Sequence, residues 1–285
     1  MNRGTIFATI ALAAGAAAAN QLPTGMVIMH PSANGALSMS GNGRILLPSG
    51  QIFVNSTHNN ALTASGNALF DVSAIHIRGG ARFSGQASCT GQIIPANSPY
   101  EDPLAHTAIP DGSGMPNYGN RSINGGNVIL QPGRYGSISI SAHPTVTFQP
   151  GTYVINSLSV SGHGNIVGDG VTLVLHQNSI SMSGQSTVTL SPPAAGPLAG
   201  VVIAQRAGNS SNMSLSGGGS LNITGAIYAP GASISLSGNG TVAAEGPLMG
   251  DLIIARTATL SGNGTIRVGR NNMRTVIPPS APLFD

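Results

Sequence analysis

The chain has no lysine and no tryptophan, one cysteine, and charged residues at only 7% of its positions, against about 25% in an average soluble protein. Each shortage excludes something. A single cysteine, Cys89, cannot close an internal disulfide, so no disulfide framework holds this fold. All eleven basic residues are arginines, thinly spread, and leave no footprint for a nucleic acid. The formal charge of +3 reflects a shortage of acids, eight in 285 residues, rather than a basic patch. Beyond the first twenty residues no run is apolar and long enough to cross a bilayer as a helix.

Glycine is abundant, at 40 residues, and with Ser and Asn it raises the question of disorder. Disorder is excluded because 41% of residues are hydrophobic and they alternate with polar ones. At the N-terminus Arg3 precedes an apolar stretch over residues 6–18, and Ala17, Ala18 and Ala19 offer small residues for cleavage. Residues 1–19 therefore read as a secretory signal peptide, too short for a membrane span. The chain is expected to be exported, either secreted or held at the cell surface.

One motif recurs along most of the chain: apolar-x-apolar-Ser-Gly-x-small-x-apolar. Its Ser-Gly steps begin at Ser40, Ser65, Ser84, Ser161, Ser183, Ser216, Ser237 and Ser261, with a degraded copy at Ser141-Ala142. Five residues after each serine an apolar residue returns: Ile45, Phe70, Val146, Ile166, Val188, Leu221, Val242 and Ile266. Period two on both sides of a Gly-rich corner gives strand, turn, strand. Such a unit cannot bury its apolar face alone, and repeats of this size bury it by stacking. The expected fold is all-β: a parallel β-helix (β-solenoid), right-handed by analogy with wide solenoids, with three short strands per coil. Strands at 171–175, 200–204, 225–228 and 251–255 would build a further wall. The division runs as 20–90, the first part of the solenoid; 91–118, a projecting Pro-rich loop; 119–270, the main solenoid; and 271–285, a tail that has lost the repeat. Residues 191–200 form a smaller excursion.

Chemistry is sparse. Glycosidase or lyase chemistry needs converging carboxylates. Glu101, Asp102 and Asp111 share the 91–118 loop, while Asp71, Asp169, Glu245 and Asp251 are scattered, so no catalytic residue is assigned. His143 and His163 take the third corner position one coil apart, about 5 Å from each other. The same column holds Asn42, Asn67, Gln86, Gln185, Asn239 and Asn263, so it reads as a stacked polar ladder. No metal site and no cofactor site is assigned. Cys89, five residues after Ser84, falls on the apolar position and is expected to be buried and inert. Thr-x-Thr pairs at 145–147, 187–189 and 257–259 suit an ice- or glycan-binding wall, although they do not all share one column.

Taken in order, residues 36–43, 60–68, 146–155 and 224–230, with Asp102-Pro103-Leu104-Ala105 in the loop, form a recognisable series. They resemble the C-terminal repeat region of Flp-type (tight-adherence, TadG-like) pilus-assembly proteins, over most of residues 32–268. The resemblance implies an exported, surface-associated structural protein with no catalytic residues to transfer. The expected partners are the protein itself end to end, a pilus or envelope component, or a surface glycan, with no nucleic acid and no small-molecule cofactor. Residues 265–268 read as a strand just before the tail, which suggests an open solenoid edge there. A carbohydrate-active β-helix enzyme and a passive ice- or glycan-binding surface remain the rival classes.

Overall fold

The computed structural model describes residues 25–206, 208–244 and 252–268. The expected signal peptide over 1–19 and the tail over 271–285 lie outside the described residues. Eight strands come first: β1 (Gly25–Ile28), β2 (Leu37–Met39), β3 (Arg44–Val54), β4 (Leu62–Ala64), β5 (Leu69–Ile77), β6 (Ala81–Phe83), β7 (Ser88–Cys89) and β8 (Gln92–Pro95). After a long connection follow β9 (Arg121–Ile123), β10 (Asn127–Leu130), β11 (Gly133–Ile140), β12 (Thr145–Phe148), β13 (Gly151–Val160), β14 (Asn165–Gly168), β15 (Val171–Leu175) and β16 (Ile180–Met182). The last are β17 (Thr187–Leu190), β18 (Val201–Gln205), β19 (Met213–Leu215), β20 (Ser220–Ile223), β21 (Ala226–Leu236), β22 (Thr241–Ala244), β23 (Leu252–Leu260) and β24 (Thr265–Val268). Every ladder among them is parallel. The molecule is a parallel β-helix with three walls per coil.

The repeat offsets explain the core. Val146, Ile166, Val188, Leu221, Val242, Ile266, Ile45 and Phe70 stack in register on the second wall, and none is more than 2% exposed. Each such side chain contributes about 1.5–3 kcal/mol on burial. At most corners glycine fits where a Cβ would press on the neighbouring coil's backbone. Gly41 has φ +76°, and a Cβ there would lie 2.8 Å from the Gly262 carbonyl oxygen. Ala142, in the degraded copy, is the one non-glycine with positive φ among the described residues, at 60°.

Stack order differs from chain order. The coil path runs from residue 117 to 268 and continues, without a covalent link, from 25 to 95. After β24 the next place on the third wall is taken by β1, which pairs with β23 on one edge and β3 on the other. The same seam joins β23 to β2 on the first wall and β24 to β3 on the second. Residues 265–268, expected to be an open edge, are therefore paired on both sides, by β22 and β3. Among the described residues the open rungs lie elsewhere: β6, β7 and β8 at one end, β9 and β10 at the other, each with a ladder on one side only.

The segment 91–118 does not project. Residues 92–95 form β8, in register with Ala74, Ile75, His76 and Ile77. Residues 96–116 then return along the outer face of the third wall, from β8 to a bridge between Asn117 and Arg134. The crossing covers about ten ladder steps, roughly 48 Å at ~4.8 Å each. Extended chain of this length reaches about 70 Å, so the path has slack for turns. The reason it lies down is apolar surface. β1, β15 and β18 are buried on both faces, and Val27, Val154, Val174, Ala204 and Ile254 point outward into a second core with Leu104, Leu198 and Tyr228. A wall of consecutive apolar residues needs a cover on each side, and residues 96–116 supply it.

Candidate functional surfaces

The crossing segment is fixed by paired contacts. The Asn55 side chain donates to the Tyr100 carbonyl at 2.9 Å and accepts from the Tyr100 backbone N–H at 2.8 Å. The Tyr100 ring stacks on Phe53 at 4.0 Å, and Phe53 stacks on His76 at 4.9 Å. Further along, Tyr228 donates its hydroxyl to Asp102 Oδ2 at 2.8 Å, while Asp102 Oδ1 accepts from the Leu104 N–H at 2.9 Å. Burial, and then the Asp102 carboxylate, push the Tyr228 phenol above its ordinary range.

These contacts give Asp102 a structural role. Asp102 is half-buried and ties the segment to β21. Asp111 is exposed; its hydrogen bonds from Ser113 hold its carboxyl below the usual range, with a smaller contribution from Arg206. Glu101 is exposed. Asp71 accepts from Thr90 at 3.0 Å, and Asp169 accepts from Ser191. Glu245 and Asp251 lie outside the described residues. Among the described residues no three His, Cys, Asp or Glu side chains come together.

His143 and His163 do meet, as their shared corner position requires. Their rings stack in parallel, 5.0 Å apart with 7° between planes. The amides of the column form a true ladder: Asn263 donates to Asn239, Asn42 to Asn263, and Asn67 to Asn42, each at 2.8 Å. Cys89 departs from expectation. It stands in the core column, in register with Phe70, but on the terminal rung, so it is half-buried. Its Sγ lies 3.4 Å from the Gly91 carbonyl, and burial raises the thiol's pKa.

The Thr-x-Thr pairs divide between walls. Thr145, Thr147, Thr187 and Thr189 are on the second wall, interleaved with Asn165 and Val167; Thr257 and Thr259 are on the first. A longer array was missed in the sequence. On the first wall Ser122, Ser139, Ser159, Ser181, Ser214, Ser235, Thr259, Ser38 and Thr63 form one outward column, in register through successive rungs. Its signal was the residue two before each motif serine, which is Ser or Thr in nearly every copy. Some hydroxyls on this wall bond along the stack, as Thr63 does to Ser38 at 3.2 Å and Ser157 to Ser137 at 3.0 Å.

Two of the hollows along these walls bear on the crossing segment and on the end of the stack. One, of about 520 Å³, lies where the crossing segment (Ile109, Pro110) meets the 191–200 excursion (Pro193, Leu198). Its lining is apolar, without a titratable group. The other, of about 320 Å³, opens at the rung of β9 and β10, with Arg121, Asn124 and Gln131 as well as Tyr118, Ile123 and Val128 in its lining. No protein-family model, no curated protein and no solved structure matches the chain.

Proposed function

We propose that this chain is an exported, non-enzymatic structural or adhesive module of the cell surface, acting through the length of its walls. The observation that carries this reading is the first-wall column of nine outward Ser and Thr residues, held in register from Ser122 to Thr63. At ~4.8 Å per rung it is a long, flat, uncharged hydroxyl surface, suited to repeated weak contacts with an extended partner rather than to one reacting bond. The resemblance to the repeat region of tight-adherence pilus-assembly proteins supports a pilus or envelope component as that partner.

The same column favours a second reading, a passive surface for a polar ligand such as a glycan. Fractionation of the native cells, with binding of the purified chain to envelope preparations and a glycan array, tests both. The structural reading expects protein in the envelope or filament fraction. The glycan reading expects binding that is lost when Ser159, Ser181 and Ser214 are changed together to glutamate. Native protein confined to the cytoplasm, or hydrolysis of a polysaccharide by the pure chain, would contradict both.

A further inference from the structure

The two ends of the coil stack carry complementary unfinished surfaces. At the β6–β8 end, residues of the core columns are left uncovered. Ile93 is 40% exposed, while Ile75, its neighbour on the next rung, is 0% exposed. Phe83 and Cys89 are half-buried, whereas Ala64 and Phe70 below them are at 2% and 0%. At the β9–β10 end the bore opens as the 320 Å³ hollow, with Val128 half-buried and Ile129 on the rim 61% exposed. One end thus presents apolar side chains and the other a hollow of mixed lining, where Ile123 and Val128 stand beside Arg121, Asn124 and Gln131, and among the described residues both present strands lacking a partner on one edge.

We propose that these ends bind each other head to tail between copies of this chain, β9 seating on β6 and β10 on β7. This deepens the structural-module reading and rests on it. The chain itself contains the precedent: at the seam, coils distant in sequence join edge to edge with the ladder intact. Carrying the internal registers across the joint places Phe83 over Ile123 and Cys89 over Val128. Arg121, which takes a core-column position on its rung, would lie over Ala81, where the small side chain leaves room for its stem. On the third wall Ile93 meets the 116–118 segment that already covers β11, so that wall adds packing and no new ladder. A joint between unlike ends does not close on itself; it propagates into a filament. Like-end pairing would set the strands antiparallel and stop at a dimer.

Val128→Cys tests the joint in the full-length chain. Within one copy Cys89 and position 128 are separated by about nine ladder steps, roughly 43 Å, far beyond disulfide reach. Across the joint they are in-register neighbours about 4.8 Å apart. Mild oxidation of V128C is expected to give a ladder of dimers, trimers and higher species on a non-reducing gel, with filaments by negative stain. The wild type and V128C in a Cys89→Ser background should give no ladder. Disulfide dimers of either single-thiol control would mean like-end pairing and would overturn the proposal. So would protein that stays monomeric at all concentrations, or a residue-128 thiol that a small reagent cannot reach because the chain's own segments cover it. The envelope assay reads location and binding, not length, so the two ideas fail separately.

Discussion

Asn42 and Asn263 are 221 residues apart in sequence, yet the Asn42 side-chain amide donates to Asn263 Oδ1 at 2.8 Å. The bond crosses the seam where the last described coil meets the first. It is one step of a ladder that otherwise runs between successive coils.

Asn42→Ala should therefore cost more than a change at the ladder's end. Asn42 takes part in two amide bonds and Asn67 in one. At the low end of about 0.5–1.5 kcal/mol per hydrogen bond, fitting exposed groups, N42A is expected to lose about 1 kcal/mol and N67A about half that. Denaturant melts at fixed m-value check the ordering.

Corner substitutions should act in opposite directions at two equivalent places. Gly41→Ala puts a methyl against the Gly262 carbonyl at positive φ and should destabilise by about 2 kcal/mol or more. Ala142→Gly releases a residue already held at φ 60° and should stabilise by about 1 kcal/mol. The melting temperature should fall in the first case and rise in the second.

Tyr228→Phe should loosen the crossing segment, since it removes the bond to Asp102. A loss of about 1–2 kcal/mol is expected, with faster proteolysis within 96–116. The pH dependence follows from the raised phenol. The unfolded tyrosine ionises near pH 10 and the folded one higher, so its contribution is complete below about pH 10 and is lost as pH rises further. Tyr153, buried and bonded to the Leu130 and Gln149 carbonyls, acts in the same direction. Above pH 10 wild-type stability should fall more steeply with pH than that of Y228F.

Ile266→Ala should weaken the seam from inside. Ile266 is fully buried, between Val242 and Ile45, and truncation at such sites costs about 2–5 kcal/mol. Thr189→Ala, on the exposed face of the second wall, should stay within about 0.5 kcal/mol. Chemical unfolding of the two variants side by side measures the contrast.

The coil was legible because its offsets are constant. Leu37, Ile45 and Phe70 lie inside for the reason that places Val146 and Ile166 there: period two on each side of a glycine corner. What the repeat could not convey is which coil rests on which, because every motif copy suits every neighbour. That is why residues 265–268 looked like an edge when they are an interior joint, and why Cys89 looked buried when its rung is the last. The fate of 96–116 was partly readable. Val171–Leu175 and Val201–Gln205 carry consecutive apolar residues, unlike the alternating strands of the other walls, and this signals a second covered face. Leu104, Ile109 and Met115 in the Pro-rich segment were the matching half of that signal. The first-wall hydroxyl column was equally visible in the repeats, but among so many serines it looked like composition.

The seam also sets an order of events. Residues 25–95 are the first of the described chain to be synthesised, but the coil they rest against, 252–268, is made last. Each turn from 117 onward can wind on its predecessor through contacts of shorter sequence separation, at a smaller closure entropy. The head-end turns must wait for a closure spanning most of the chain, with the entropy cost of a very long loop. A half-made polypeptide therefore carries unfinished apolar faces both on the coil that starts at residue 25 and on the last coil made, and their meeting at the seam comes last.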